Sequence, residues 1–217
     1  MISSIFRGVA VLAVVAQVGT AIASTQVRVN TTMGSFDLLL LEEVAPVSVA
    51  NFLQYVQSGR YENTLIHRSV PNFVIQGGGY YNLNTPVETF APIVNEPHYD
   101  NVRGSIGVAR YVDMPDSGTS QWYINTADNS AMLDQFQWTV FGYVMGDGMA
   151  VVDAINALPT QTVDFMSDVP TVDVRLSMSV VPEPNSAWQL LAGLTGLLGL
   201  WQLRSRTALG KAASARH

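Results

Sequence analysis

The stretch Ile66-His67-Arg68-Ser69-Val70-Pro71-Asn72-Phe73-Val74-Ile75-Gln76-Gly77-Gly78 sets one arginine five residues before a phenylalanine and eight before a glutamine. Phe73, Val74 and Ile75 read as a buried strand. Arg68 and Gln76 then place hydrogen-bond donors at the edge of an apolar surface rather than out in solvent. A site built in that way suits a ligand with an apolar ring and a peptide backbone.

On either side of this run the apolar residues fall into short segments. Gln26 to Asn30 and Ser35 to Leu41 flank Thr31-Thr32-Met33-Gly34, which predicts a hairpin. Further strands are predicted at Thr64 to His67, Phe73 to Gln76, Ser105 to Ala109, Trp122 to Asn125, Thr139 to Val144 and Thr171 to Val180. Ala45-Pro46-Val47 opens a helix, because proline is tolerated in a first turn and Val49, Phe52, Leu53 and Val56 recur at helical spacing before Gly59. A second helix runs from Met149 to Leu158 and ends at Pro159. Many short strands with two helices point to a mainly β protein, a closed barrel or sandwich with helices over its ends. Tyr80 to Arg103 and Tyr111 to Thr119 are rich in Pro, Asn, Asp and Gly and are expected to be surface loops.

The two ends differ from this middle. Residues 1–23 carry Arg7, the apolar run Val9 to Val18 and the small-x-small site Ala21-Ile22-Ala23, the order of a secretory signal peptide cut after Ala23; a buried N-terminal helix is the competing reading. Ala187 to Leu203 is uncharged and spans roughly 25 Å as a helix. Arg204, Arg206, Lys211 and Arg216 follow it, a cytoplasmic-type flank. Between the ends, residues 24–181 hold six arginines, no lysine and sixteen carboxylates, a net charge near −10. A nucleic-acid partner needs a basic face and is discounted. With no cysteine in the 217 residues, disulfides, thiol catalysis and cysteine metal sites are excluded.

Other chemistries fail on their residues. Gly118-Thr119-Ser120-Gln121 lacks the second glycine of a nucleophile elbow. His67, His98 and His217 have no metal spacing, there is no GxxxxGK[ST] phosphate loop, and Asp164, Asp168 and Asp173 do not make an EF-hand. Glu42-Glu43 and Gly146-Asp147-Gly148 read as a solvated edge and a tight turn. No cofactor or metal is expected.

The segments APVSVANFLQYVQSGRYENTLIHRSVPNFVIQGGG (45–79), GSIGVAR (104–110), GTSQWYINTADNSAMLD (118–134) and TVFGYVMGDGMAVVDAI (139–155) together resemble the cyclophilin-type peptidyl-prolyl isomerases, closest to their short bacterial forms. The resemblance covers about residues 26 to 180. It implies an eight-stranded antiparallel barrel capped by two α-helices, followed here by the C-terminal hydrophobic helix. It also implies cis-trans isomerisation of X-Pro bonds without a cofactor, acting on proline-containing polypeptides, in a chain expected to be a monomer. By matching, Arg68 is the catalytic arginine, and Phe73, Val74, Tyr123 and Leu133 line the proline socket. Gln76 and Gln121 hold the substrate carbonyl and the arginine, while Ala109 and Arg110 form a rim that pairs with peptide backbone. His67 is read as structural, because isomerisation moves no proton.

Tyr123 stands where the family usually has phenylalanine, beside a larger-than-usual Trp122. Met132 replaces an aromatic residue, and Trp138 a histidine or tyrosine. The altered Trp122-Tyr123 pair keeps a second reading open, a proline-peptide binding module of the cell surface or matrix without turnover. Val181-Pro182-Glu183-Pro184, the apolar stretch and the arginines after it resemble the PEP-CTERM sorting signal of Gram-negative bacteria; a simple C-terminal anchor is the alternative. That resemblance implies an exosortase-type processing enzyme, at least transient membrane contact, and a periplasmic, surface or matrix location. The chain then divides into a signal peptide (1–23), an isomerase domain (24–181) and a sorting segment (182–217).

Overall fold

The computed structural model describes residues 24–182, so the expected signal peptide and C-terminal hydrophobic helix lie outside the described residues. Thirteen strands and three α-helices follow one another. They are β1 (Gln26–Thr31), β2 (Gly34–Leu40), α1 (Pro46–Gln57), β3 (Thr64–Leu65), β4 (Arg68–Val70), β5 (Val74–Gly77), β6 (Tyr80–Asn82), β7 (Thr85–Pro86), β8 (Ser105–Val108), β9 (Trp122–Asn125), α2 (Ser130–Leu133), β10 (Val140–Val144), α3 (Met149–Asn156), β11 (Thr160–Val163), β12 (Met166–Pro170) and β13 (Arg175–Val181).

Nine of these strands form one antiparallel sheet in the order β3-β13-β1-β2-β10-β8-β9-β5-β4. Its edge strands, β3 and β4, are consecutive in the chain. The two residues between them serve both sides of the sheet: the Ile66 amide donates to the Val174 carbonyl at 2.9 Å and the His67 amide to the Gln76 carbonyl at 3.1 Å. The sheet therefore curls until its two ends are joined by a short covalent link. This differs from the eight-stranded closed barrel expected, because the predicted strand Thr64 to His67 stops at Leu65 and Arg68 begins a separate strand. Two small hairpins, β6-β7 and β11-β12, lie outside that sheet.

Period-two alternation explains the first hairpin. Val27 and Val29 on β1 and Phe36, Leu38 and Leu40 on β2 all face the core, whereas Arg28 and Asp37 pair on the other side. Helix α1 buries Val49, Phe52 and Val56 at the predicted spacing, with Tyr55 buried beside them and Leu53 only partly buried. Its N-cap, Ala45, supplies no side-chain acceptor. The carboxylate of Glu96, far away in sequence, does so instead, accepting from the amides of Val47 (3.2 Å) and Ser48 (2.8 Å) and from the Ser48 hydroxyl (2.7 Å). Helix α3 is shorter than expected, and the short α2 falls in a segment for which no helix was predicted.

Candidate active site

Alternation on β5 and β9 divides the apolar side chains between two faces. Ile75, Trp122 and Ile124 join the main core inside the curled sheet. Val74 and Tyr123 turn outward and, with Leu133, make a second, smaller cluster against which Phe73, Ala109 and Trp138 pack. Outward positions of an exposed sheet face are ordinarily polar, so an apolar cluster there marks a binding surface.

The cluster lines a cavity of about 360 Å3, within the range of about 300–1,000 Å3 typical of small-ligand pockets. Eight of the nine residues matched from the sequence reach it: Arg68, Phe73, Val74 and Gln76 from one side, Ala109, Arg110, Tyr123 and Leu133 from the other. Gln121 does not. It stands behind Gln76, accepting from that side chain's Nε2 at 2.7 Å. Arg68 and Gln76 face each other across the β4-β5 ladder, with the guanidinium 3.4 Å from the Gln76 Oε1. Asp168 approaches the Arg68 Nε at 3.8 Å, and the Phe73 ring centroid lies 5.9 Å from the guanidinium carbon. A charged planar donor is thus held at the lip of an apolar socket.

The Trp122-Tyr123 pair is accommodated by glycine on each neighbouring strand. Trp122 is paired with Gly77, and Tyr123 with Gly107. A Cβ at Gly77 would come within 2.6 Å of the indole, and one at Gly107 within 2.4 Å of the tyrosine ring. The Tyr123 hydroxyl has a protein partner, the Asn101 Oδ1 at 2.6 Å. Its burial pushes the phenol well above its usual pKa. Asn101 is held in turn by Asp134, through its Nδ2 at 2.8 Å, and Asn129 donates to the Phe73 carbonyl and to the Asn125 Oδ1, both at 2.7 Å. This buried polar network fixes the socket from behind, as satisfied networks do, and nothing in the sequence pattern pointed to it.

Arg110 works on the rim in an unforeseen way. Its guanidinium stacks over Trp138, 4.4 Å from the ring centroid, and donates to the carbonyls of Tyr111 (2.8 Å), Val112 (3.0 Å) and Phe136. It therefore ties the loop after β8 to the 3-10 turn Asp134–Phe136. Ala109 already spends its amide on the Gln121 carbonyl at 2.9 Å. Val112 and Phe136, which the motifs did not single out, complete the lining with Met132 and Trp138; their only signal in sequence is apolar character within a polar loop.

His67 is buried with its ring edge against Tyr80, centroids 5.0 Å apart. Burial pushes its pKa down to about 4, outweighing the nearby Gln121 side chain and Leu65 backbone, which as acceptors favour the cation; the Arg68 charge adds to the lowering. A neutral imidazole supplies no fixed charge beside Arg68. Among the described residues no group of His, Asp and Glu is arranged to hold a metal, and no helix is long and apolar enough to cross a membrane.

A curled antiparallel sheet with an apolar socket on its outer face, a guanidinium at the lip and amide side chains beside it defines a β protein with a pocket for a small apolar group next to hydrogen-bond donors. The comparisons agree. The family model described as cyclophilin type peptidyl-prolyl cis-trans isomerase/CLD matches residues 26–180. The chain is 39% identical over 172 residues to a peptidyl-prolyl cis-trans isomerase of Acinetobacter baylyi, covering 77% of this chain and 90% of that protein. It is 41% identical to peptidyl-prolyl cis-trans isomerase A of Dickeya dadantii, covering 74% and 86%. A crystal structure of a cyclophilin type isomerase of Cryptosporidium parvum superposes with a TM-score of 0.66 at 21% identity, covering 75% of this chain and all of that one, which shows the shared fold. The chain belongs to the cyclophilin-type peptidyl-prolyl cis-trans isomerase family.

Proposed function

We propose that this isomerase acts on X-Pro bonds by seating the proline ring in the socket and aiming the Arg68 guanidinium at the prolyl nitrogen. Rotation about the bond must break amide resonance, a barrier of roughly 18–20 kcal/mol. As the amide twists, the nitrogen regains a lone pair and becomes a hydrogen-bond acceptor. A fixed cation at that point binds the twisted amide more tightly than either planar isomer, which is what lowers the barrier. No covalent bond forms or breaks, and no proton is transferred. Phe73, Val74, Tyr123 and Leu133 hold the ring. Gln76 orients the arginine and takes the carbonyl on one side, and Gln121 braces Gln76. Ala109 and Arg110 border the path of the peptide backbone.

The observation that carries this reading is the pairing of Arg68 with Gln76 across one ladder at the edge of the outward apolar cluster. Arg68→Ala is expected to lower kcat/KM on a proline tetrapeptide by about 10²–10³-fold. Arg68→Lys should recover part of the loss, because lysine keeps the charge but not the planar fork. The same negligible rate in wild type and Arg68→Ala, with proline-peptide binding retained in both, would instead favour the binding-module reading.

The same proposal places the isomerase, as a monomer, outside the cytoplasm, where it assists folding of exported polypeptides. Residues 1–23 support it by their signal-peptide order, and 182–217 by the Pro-Glu-Pro triplet, apolar stretch and arginine cluster that an exosortase-type enzyme would process at the membrane. In this division residues 24–181 are the isomerase domain, and the covalent link between β3 and β4 lets the curled sheet act as a closed barrel. Mass spectrometry of the mature termini tests the export reading: loss of residues 1–23 and truncation near Pro184 are expected, and an intact chain retaining both ends sinks it.

A further inference from the structure

Across Arg68 from the socket lies a second cavity, of about 260 Å3. Arg68 borders both, while the joined amides of Gln76 and Gln121 are divided between them, Gln76 toward the socket and Gln121 toward the second cavity. The inner wall of this cavity is His67 and Tyr80; its outer wall comes from the β11-β12 hairpin at Phe165 and Met166. Phe165 is 86% exposed, more than any other large apolar side chain among the described residues. Asp164 before it adopts a φ of 53°, so a two-residue turn holds the phenyl ring at the hairpin tip. The hairpin is anchored where it matters. It packs along β4, and Asp168 on β12 faces the Arg68 guanidinium.

We propose that this cavity is a second side-chain subsite, which takes an apolar and preferably aromatic residue flanking the target proline, with Phe165 as its outer wall. The proposal rests on the proline occupying the neighbouring socket. Consecutive Cα atoms lie about 3.8 Å apart, so a residue one or two positions from the proline spans the single guanidinium that separates the cavities. The lining selects the occupant. It offers the rings of Tyr80 and Phe165 and the Met166 thioether, surfaces that favour apolar and aromatic contact. The one cation at its edge already faces the Asp168 carboxylate, whose charge opposes an acidic side chain.

The test uses the full chain and tetrapeptides in which the residue on each side of proline is Phe, Leu, Ala or Glu, with wild type and Phe165→Ala compared. Wild type is expected to prefer Phe over Ala by about tenfold in kcat/KM at one flanking position, the difference residing in KM. Phe165→Ala should reduce that ratio to near one. Because the ring is exposed, the variant is expected to fold normally. An unchanged ratio, or a wild type indifferent to the flanking residue, overturns the subsite. Calorimetric binding of the same peptides separates this from the isomerase reading: a Phe165-dependent preference in binding without turnover leaves the subsite standing and removes the catalytic role of Arg68.

Discussion

Arg68 and His67 are adjacent, yet alternation gives them opposite surroundings. Arg68 is partly exposed at the socket, and His67 is buried behind it. The pKa of the buried imidazole is depressed below its unfolded value of about 6.5, to about 4. The unfolded chain therefore binds the extra proton between these pH values, so the stabilising contribution is complete above about pH 6.5 and is lost as pH falls toward 4. The loss amounts to about 3 kcal/mol for a shift of this size. Urea midpoints measured from pH 7 to pH 4 should fall over that window, and His67→Gln should flatten the slope. At the same scale, Tyr123→Phe removes a hydroxyl whose acceptor, Asn101, also receives the Asn125 amide at 3.2 Å. A loss of about 1 kcal/mol in denaturant unfolding is expected, with turnover largely retained.

At the scale of elements, two long-range devices hold the site's surroundings. Helix α1 begins without a local cap and takes one from Glu96. Glu96→Ala should cost about 1–2 kcal/mol, read by chemical denaturation, because three donors lose a charged acceptor. Strand β8 meets β9 through Gly107, against the Tyr123 ring. Gly107→Ala is expected to destabilise by about 1–3 kcal/mol and to raise KM, since either the ring or the strand must shift into the socket. Tyr123→Phe in the same chain should not rescue it, because the ring carbon Cζ lies as close as the hydroxyl. These elements were partly readable beforehand. Trp122 to Asn125 was bounded correctly by its β-rich composition, but the β11-β12 hairpin was missed because its turn uses Asp164 at positive φ and carries no Asn-Gly or Asp-Gly pair.

For the whole molecule, the described residues form one main curled sheet around a large core, with two small hairpins outside it and a second, smaller apolar cluster on its outer face. Residues 24–182 alone are expected to unfold in a single cooperative transition and to keep the full chain's kcat/KM; a loss of more than about tenfold would make the terminal segments part of the working protein. The sequence by itself carried the family resemblance, which named nine site residues of which eight line one cavity, and the alternating strands, whose period-two patterning states which face Val74, Gln76 and Tyr123 take. Only the tertiary structure decided that Gln121 braces Gln76 from behind, that Arg110 ties two loops together, that Asn101 holds the Tyr123 hydroxyl, and that the hairpin bearing Phe165 stands beside Arg68. Each of these joins residues distant along the chain. Local periodicity sets the face on which a residue lies, whereas the curl of the sheet sets which loop arrives above it.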